Sequence, residues 1–158
     1  MSAKKYDIET FRDEIITLIQ DNLSAKITAI NTEKNDSLSI DSIAAENYYN
    51  DVTDQVVNIS PFIHYGFASL ESETVGAQTR TTITMFVAVV FDNTNQTGIE
   101  SKVLRYTRCL KEIIQENSKK IASASPLSVT QFLPVNFELN KGSDFKVGGI
   151  HITTSIVG

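Results

Sequence analysis

Ile8, Phe11, Ile15, Leu18, Ile19 and Leu23 recur at steps of three and four, the spacing that puts side chains on one stripe of an α-helix. Asp7 stands where its carboxylate can accept from the open amides of the first turn, and Glu9 and Asp13 suit the positive end of the helix dipole. The rhythm runs on through Ile27 and Ile30, which predicts one helix to about residue 30; a break at Asn22–Ser24 is the competing reading. Residues 31–58 then lose the period. Asn31, Thr32, Asn35, Asp36, Ser37, Ser39, Asp41 and Ser42 compete with the backbone for hydrogen bonds, and Leu38, Ile40, Ile43, Tyr48, Tyr49 and Val52 stand singly among them. This predicts a long irregular strap over residues 31–58, pinned to the domain by those apolar side chains, with an arm that contacts a partner as the second reading.

From residue 59 the texture is that of strands. Ile59–Ser69 carries Phe62, Ile63, Tyr65 and Phe67 behind Pro61, and the polar run to Ala77, with Gly76, suits a hairpin connection. In Arg80–Asp92 the odd positions Ile83, Met85, Val87, Val89 and Phe91 are all apolar. The even ones change from Thr82 and Thr84 to Phe86, Ala88 and Val90, so the second face is exposed early and covered late. Thr97 and Glu100 match a capping box, and Ile99, Val103, Tyr106, Leu110 and Ile113 then mark a second amphipathic helix to about residues 117–120. Val129–Leu139 alternates with Pro134 inside it, Asn140–Asp144 reads as a turn, and Lys146–Val157 alternates to the end, with Gly148-Gly149 signalling a bulge or a close backbone approach. The order helix, strap, two strands, helix, two strands predicts an α+β domain: a mainly antiparallel sheet of about four strands with helices packed on one face.

Length and composition narrow the class. A chain of 158 residues fits a single domain, here residues 1–158, and 41% hydrophobic with 21% charged residues is ordinary for a folded globule. The apolar run Met85–Phe91 is far shorter than the ~20 residues of a membrane span. No apolar leader follows Lys4 and Lys5, so no signal peptide is expected, and a lone Cys109 suits a reducing compartment. The net charge of −5 argues against a duplex-binding groove, because phosphate neutralisation dominates nucleic-acid affinity. It leaves room for a surface past which DNA slides.

Candidate chemistry is sparse. There is no G-x-x-x-x-G-K-[ST], and no G-x-G-x-x-G opens a helix. His64 and His151 fall in separate strands without a Cys or His at metal-ligand spacing. Cys109 adjoins the stripe of the second helix, where cysteine is usually a small buried hydrophobe; Arg105 and Arg108 are the only argument for a reactive thiolate. The carboxylate pairs Asp13 and Glu14, Asp51 and Asp54, and Glu71 and Glu73 lie in polar stretches that read as solvated surface. Arg105, Arg108, Lys111, Lys119 and Lys120 form one positive strip, without the interleaved aromatics of a single-strand platform. No catalytic, cofactor-binding or metal-ligating set is expected, and an enzyme is not.

One local pattern does resemble a known family. The run Ala29-Ile30-Asn31-Thr32-Glu33-Lys34-Asn35-Asp36, followed by Leu38, Ile40 and Tyr48-Tyr49, resembles a stretch in small neck proteins of tailed bacteriophages. The later order, a strand pair, a helix with Leu104-Arg105-Tyr106 and a strand pair, is similar to tail terminator (tail-completion) proteins. The resemblance implies a virion protein made in the host cytoplasm that forms a ring, commonly of six subunits, on the end of the tail tube. Its partners would be its own copies, the tail tube and the neck or head-completion proteins, with DNA passing through the lumen unread. A head-completion adaptor or another tube or baseplate component is the neighbouring possibility, and a small ligand-binding or enzymatic α+β domain is the alternative from another class. Assembly contacts are expected at Tyr48 and Tyr49 of the strap and at Asn140, Lys141, Gly142 and Ser143 of the last turn, polar and adaptable stretches of the kind that rim interfaces.

Overall fold

The computed structural model describes residues 7–50, 60–92, 98–121, 127–140 and 143–157. The apolar stripe at the start of the chain folds as one continuous helix, α1 (Ile8–Lys34), four residues longer than its pattern suggested and with no break at Asn22. Asp7 caps it, its carboxylate accepting from the Thr10 amide at 2.8 Å. Asn35 closes it in the left-handed region at φ 45°, which asparagine tolerates because its short polar side chain can bond locally. A strap then leads through a short 3₁₀ turn (Ala45–Asn47) into a two-residue strand, β1 (Tyr48–Tyr49). The end of the predicted strap, residues 51–58, lies outside the described residues, as does residue 59.

Two hairpins and a helix complete the chain: β2 (Phe62–Val75), β3 (Gln78–Asp92), α2 (Ile99–Asn117), β4 (Ser128–Asn140) and β5 (Ser143–Val157). They form one sheet in the order β1-β2-β3-β5-β4. The sheet is therefore mixed and five-stranded, where four mainly antiparallel strands were expected. β1 is the addition, and it runs parallel to β2. Two tyrosines without flanking alternation carry no readable strand period, which is why the pattern missed it.

The first hairpin also differs from expectation. Residues 69–75 are strand, not connection, and only Gly76-Ala77 separates β2 from β3. Gly76 takes φ 64°, the left-handed turn geometry that glycine adopts without a Cβ clash. The polar run stays extended because its side chains pair across the strands: the Ser72 and Thr81 hydroxyls are 3.1 Å apart, and Glu73 meets Arg80 at 4.0 Å. Beyond a bulge at Ala68, this end of the hairpin is a solvent-exposed arm. The predicted capping box falls on a residue outside the described ones. Gly98, at φ 74°, is the N-cap of α2 and makes no side-chain cap bond; Thr97 lies outside the described residues.

Burial follows the predicted stripes. Val103, Leu110 and Ile113 of α2 are fully buried in one cluster with Val87 and Val89 of β3 and Ile152 of β5, and Phe11, Ile15, Ile19 and Leu23 of α1 join the same core. Helices thus cover one sheet face, with α1 packed along α2. Lys26 to Glu116 at 2.6 Å and Arg108 to Glu33 at 2.5 Å tie the two helices at the surface. Exposed pairs of this kind each contribute little, so the apolar seam dominates. Gly149 of β5 explains the glycine doublet: a Cβ there would stand 2.2 Å from the Val87 carbonyl oxygen, so only glycine admits this approach of β5 to β3. Pro134 falls where the β4–β5 register shifts between Phe132 and Val135, a bulge that spares its missing amide.

Candidate assembly surface

The strap is bound to the helices by groups chosen for the task. Asn31, on the last turn of α1, uses its side-chain amide as a backbone mimic, donating to the Ile40 carbonyl and accepting from the Ile40 amide, both at 2.9 Å. That locks Ile40 into the core. Arg105 of α2, only 8% exposed, donates to both carboxylate oxygens of Asp36 and to the Leu38 carbonyl. Tyr106, buried on the same helix, accepts from the Asp41 amide and donates to the Asp41 carbonyl. The Arg105 guanidinium, with help from the Leu38 amide, holds the Asp36 carboxyl down at about 2, and burial raises Tyr106 above the ordinary phenol range. Over Asp36–Asp41 the strap is therefore latched to the helices, and Arg105 and Arg108 are committed to carboxylates rather than forming a free positive strip.

The latch delivers Tyr48 and Tyr49 to the sheet. Strand alternation sends them to opposite faces. Tyr48 pairs with Ile63 and packs against the main core; its hydroxyl is buried with no hydrogen-bond partner among the described residues, and burial pushes it up to about 12. Tyr49 pairs with His64, meets Phe62 edge-on at 5.7 Å and sits on the face away from the helices. Both are half-buried, so they act first as packing residues. Of the other expected contacts, Asn140 and Ser143 pair with each other at the end of the last hairpin, while Lys141 and Gly142 lie outside the described residues. The structure does not bring the two groups together: β1 is at one edge of the sheet and β4 at the other.

The face opposite the helices carries what the sequence pattern left undefined. Phe62, Val90 and Phe145 form a second small cluster, with Tyr49 and Val147 against it. Beside it runs a band of half-buried rings: His64 edge-on to Phe86 at 4.9 Å, and His151 tilted against Phe132 at 5.2 Å. Toward the arm the same face turns to hydroxyls, with Thr84 and Thr153 3.1 Å apart and Thr82 and Ser155 3.3 Å apart. The band was hidden in the sequence because its members come one from each of four strands, and only the register aligns them. Among the described residues no group of three His, Cys, Asp or Glu could hold a metal ion. Cys109 is buried, and burial pushes its thiol up to about 11, which keeps the thiolate unpopulated at neutral pH. A groove of about 440 Å³ lies beside α1 between Asp13, Leu18, Asp21 and Lys120. No family model matches this sequence, and no curated protein matches it either.

Proposed function

We propose that this protein is a structural component of a tailed-phage virion, a tail terminator that closes a homo-oligomeric ring on the end of the tail tube and presents the surface that joins the head side. The single observation that carries the reading is the open sheet, with one face covered by helices and the other bearing a band of half-buried rings that gives way to hydroxyls toward the β2–β3 arm. Half-buried apolar rings beside polar groups are the combination that contact surfaces use. A subunit whose two sheet edges differ is also suited to a head-to-tail contact, which generates a ring where the rotation closes. The net charge of −5 fits a conduit that does not hold DNA by its phosphates. The protein works by assembly, with no chemistry of its own, and a head-completion adaptor is its nearest relative in role.

Solution mass tests the reading. Native mass spectrometry, with the protein alone and then with isolated tail tubes, should find one discrete closed oligomer, six copies by the family resemblance. A monomer under both conditions, with no affinity for tube ends, would overturn it.

A further inference from the structure

We infer that the β2–β3 arm is the joint between neighbouring copies: the outer edge of β2 over Ser69–Val75 takes up the outer edge of β4 from a second copy of this chain. The inference rests on the ring reading and assigns its contact. Both edges are available. β1 pairs with β2 only at Ile63 and His64, and among the described residues nothing pairs with the outer edge of β2 from Tyr65 to Val75 or with that of β4. Unpaired strand edges are templates for another strand, and proteins normally blunt them. Here the bulge at Ala68 and β1 blunt the inner half of β2, and Ser69–Val75 lies beyond both. The arm also exposes Leu70 (48%) and Val75 (57%), two of the four large apolar side chains exposed among the described residues.

Charge favours β4 over the self-pairing centred on this edge. Pairing β2 with the neighbour's β2, in the antiparallel register centred on Ser72, would set Glu71 against Glu73 twice, and like charges directly opposite destabilise a strand pair. Pairing with β4 avoids this. The successive antiparallel pairs β2-β3, β3-β5 and β5-β4 make β2 and β4 run in opposite directions. A simple rotation therefore brings the neighbour's β2 antiparallel to β4, and the alternation continues unbroken.

One register of this pairing gives a stagger at which a sheet can close. Thr130 lies in register with His151, Phe86 and Gly66 across the sheet. Setting Ser72 level with Thr130 takes a slide of about five strand positions once the bulge is allowed for, roughly 16 Å at ~3.3 Å per residue. Four strands about 4.8 Å apart span roughly 19 Å per copy. That slide over that width is a strand tilt of about 40°, inside the ~35–45° at which sheets close into barrels.

Residue-resolved amide exchange on the intact protein, read beside its mass, tests the joint. Successive residues of a strand point their amides to opposite sides, so alternate amides of Ser69–Val75 and of Ser128–Phe132 should slow at least ~100-fold on passing from monomer to ring. A ring that forms while both stretches exchange as in the monomer overturns this inference and leaves the ring reading standing; absence of any ring overturns both. For the same geometric reason, only one of Ser72→Pro and Glu73→Pro removes an outward amide. That variant should keep the hairpin and stay monomeric, and two variants that both fold and assemble like the parent would contradict the joint.

Discussion

Leu110→Ala, compared with Leu104→Ala six residues earlier on the same helix, asks whether the buried seam between α2 and the sheet holds the domain together. Leu110 is fully buried in the main cluster, whereas Leu104 is 37% exposed. Each substitution removes the same three carbons and brings the same gain in helix propensity, so the difference isolates burial. At Leu110 the transfer loss is about 2.4 kcal/mol at ~0.8 kcal/mol per carbon. A residual cavity of a few tens of Å³ adds about 1 kcal/mol at ~24 cal/mol per Å³. The expected loss is about 3–4 kcal/mol, against under ~1 kcal/mol for Leu104→Ala, whose surface stays partly in water in either state. Urea unfolding followed by circular dichroism reads both values from shifts in midpoint at constant slope. Equal losses at the two positions, or less than about 0.5 kcal/mol at Leu110, would mean that α2 does not pack on the sheet as described.

Three further outcomes follow from individual contacts. Gly149→Ala should destabilise the domain by about 3 kcal/mol or more in the same titration, because the new Cβ meets backbone atoms of Val87 and Ala88 that no rotamer change can move; a loss within ~0.5 kcal/mol would contradict the close approach. Asp36 is depressed to about 2 by Arg105, so the strap latch contributes stability that is present above the ordinary value of 3.8 and lost as pH falls through about 2. Amide exchange of Leu38 and Ile40 relative to the core should therefore rise across that window in the parent and stay flat in Asp36→Asn, and identical profiles would remove the latch. Cys109→Ser should leave fold and assembly intact apart from a mild packing loss, and the Cys109 thiol should react with an aromatic disulfide reagent only as the chain unfolds; rapid labelling of the native protein would show the thiol to be accessible.

What the sequence made legible tracks how local the cause is. The stripes of α1 and α2, the Asp7 cap and the buried odd positions of β3 are properties of a few neighbouring residues, and they stand as read. β1 and the polar half of β2 depend on what lies across the sheet. Ser72, Glu73 and Tyr48 are strand residues only because Thr81, Arg80 and Ile63 are placed opposite them. The same holds for the surface. Tyr48 and Tyr49 stood out as isolated apolar positions, yet the band formed by His64, Phe86, Phe132 and His151 exists only once four strands are in register. Arg105 looked like part of a basic strip because its partner, Asp36, is far away in the chain and reaches it only through the turn after Asn35.

The central claim, that this protein ends a tail by closing on its tube, is met most directly by tail length. Tails assembled with the protein should stop at one length and accept heads, and tails assembled without it should run past that length or fail to join heads. Tails of normal, capped length in its absence would contradict the terminator account and leave a neck adaptor as the role to test next.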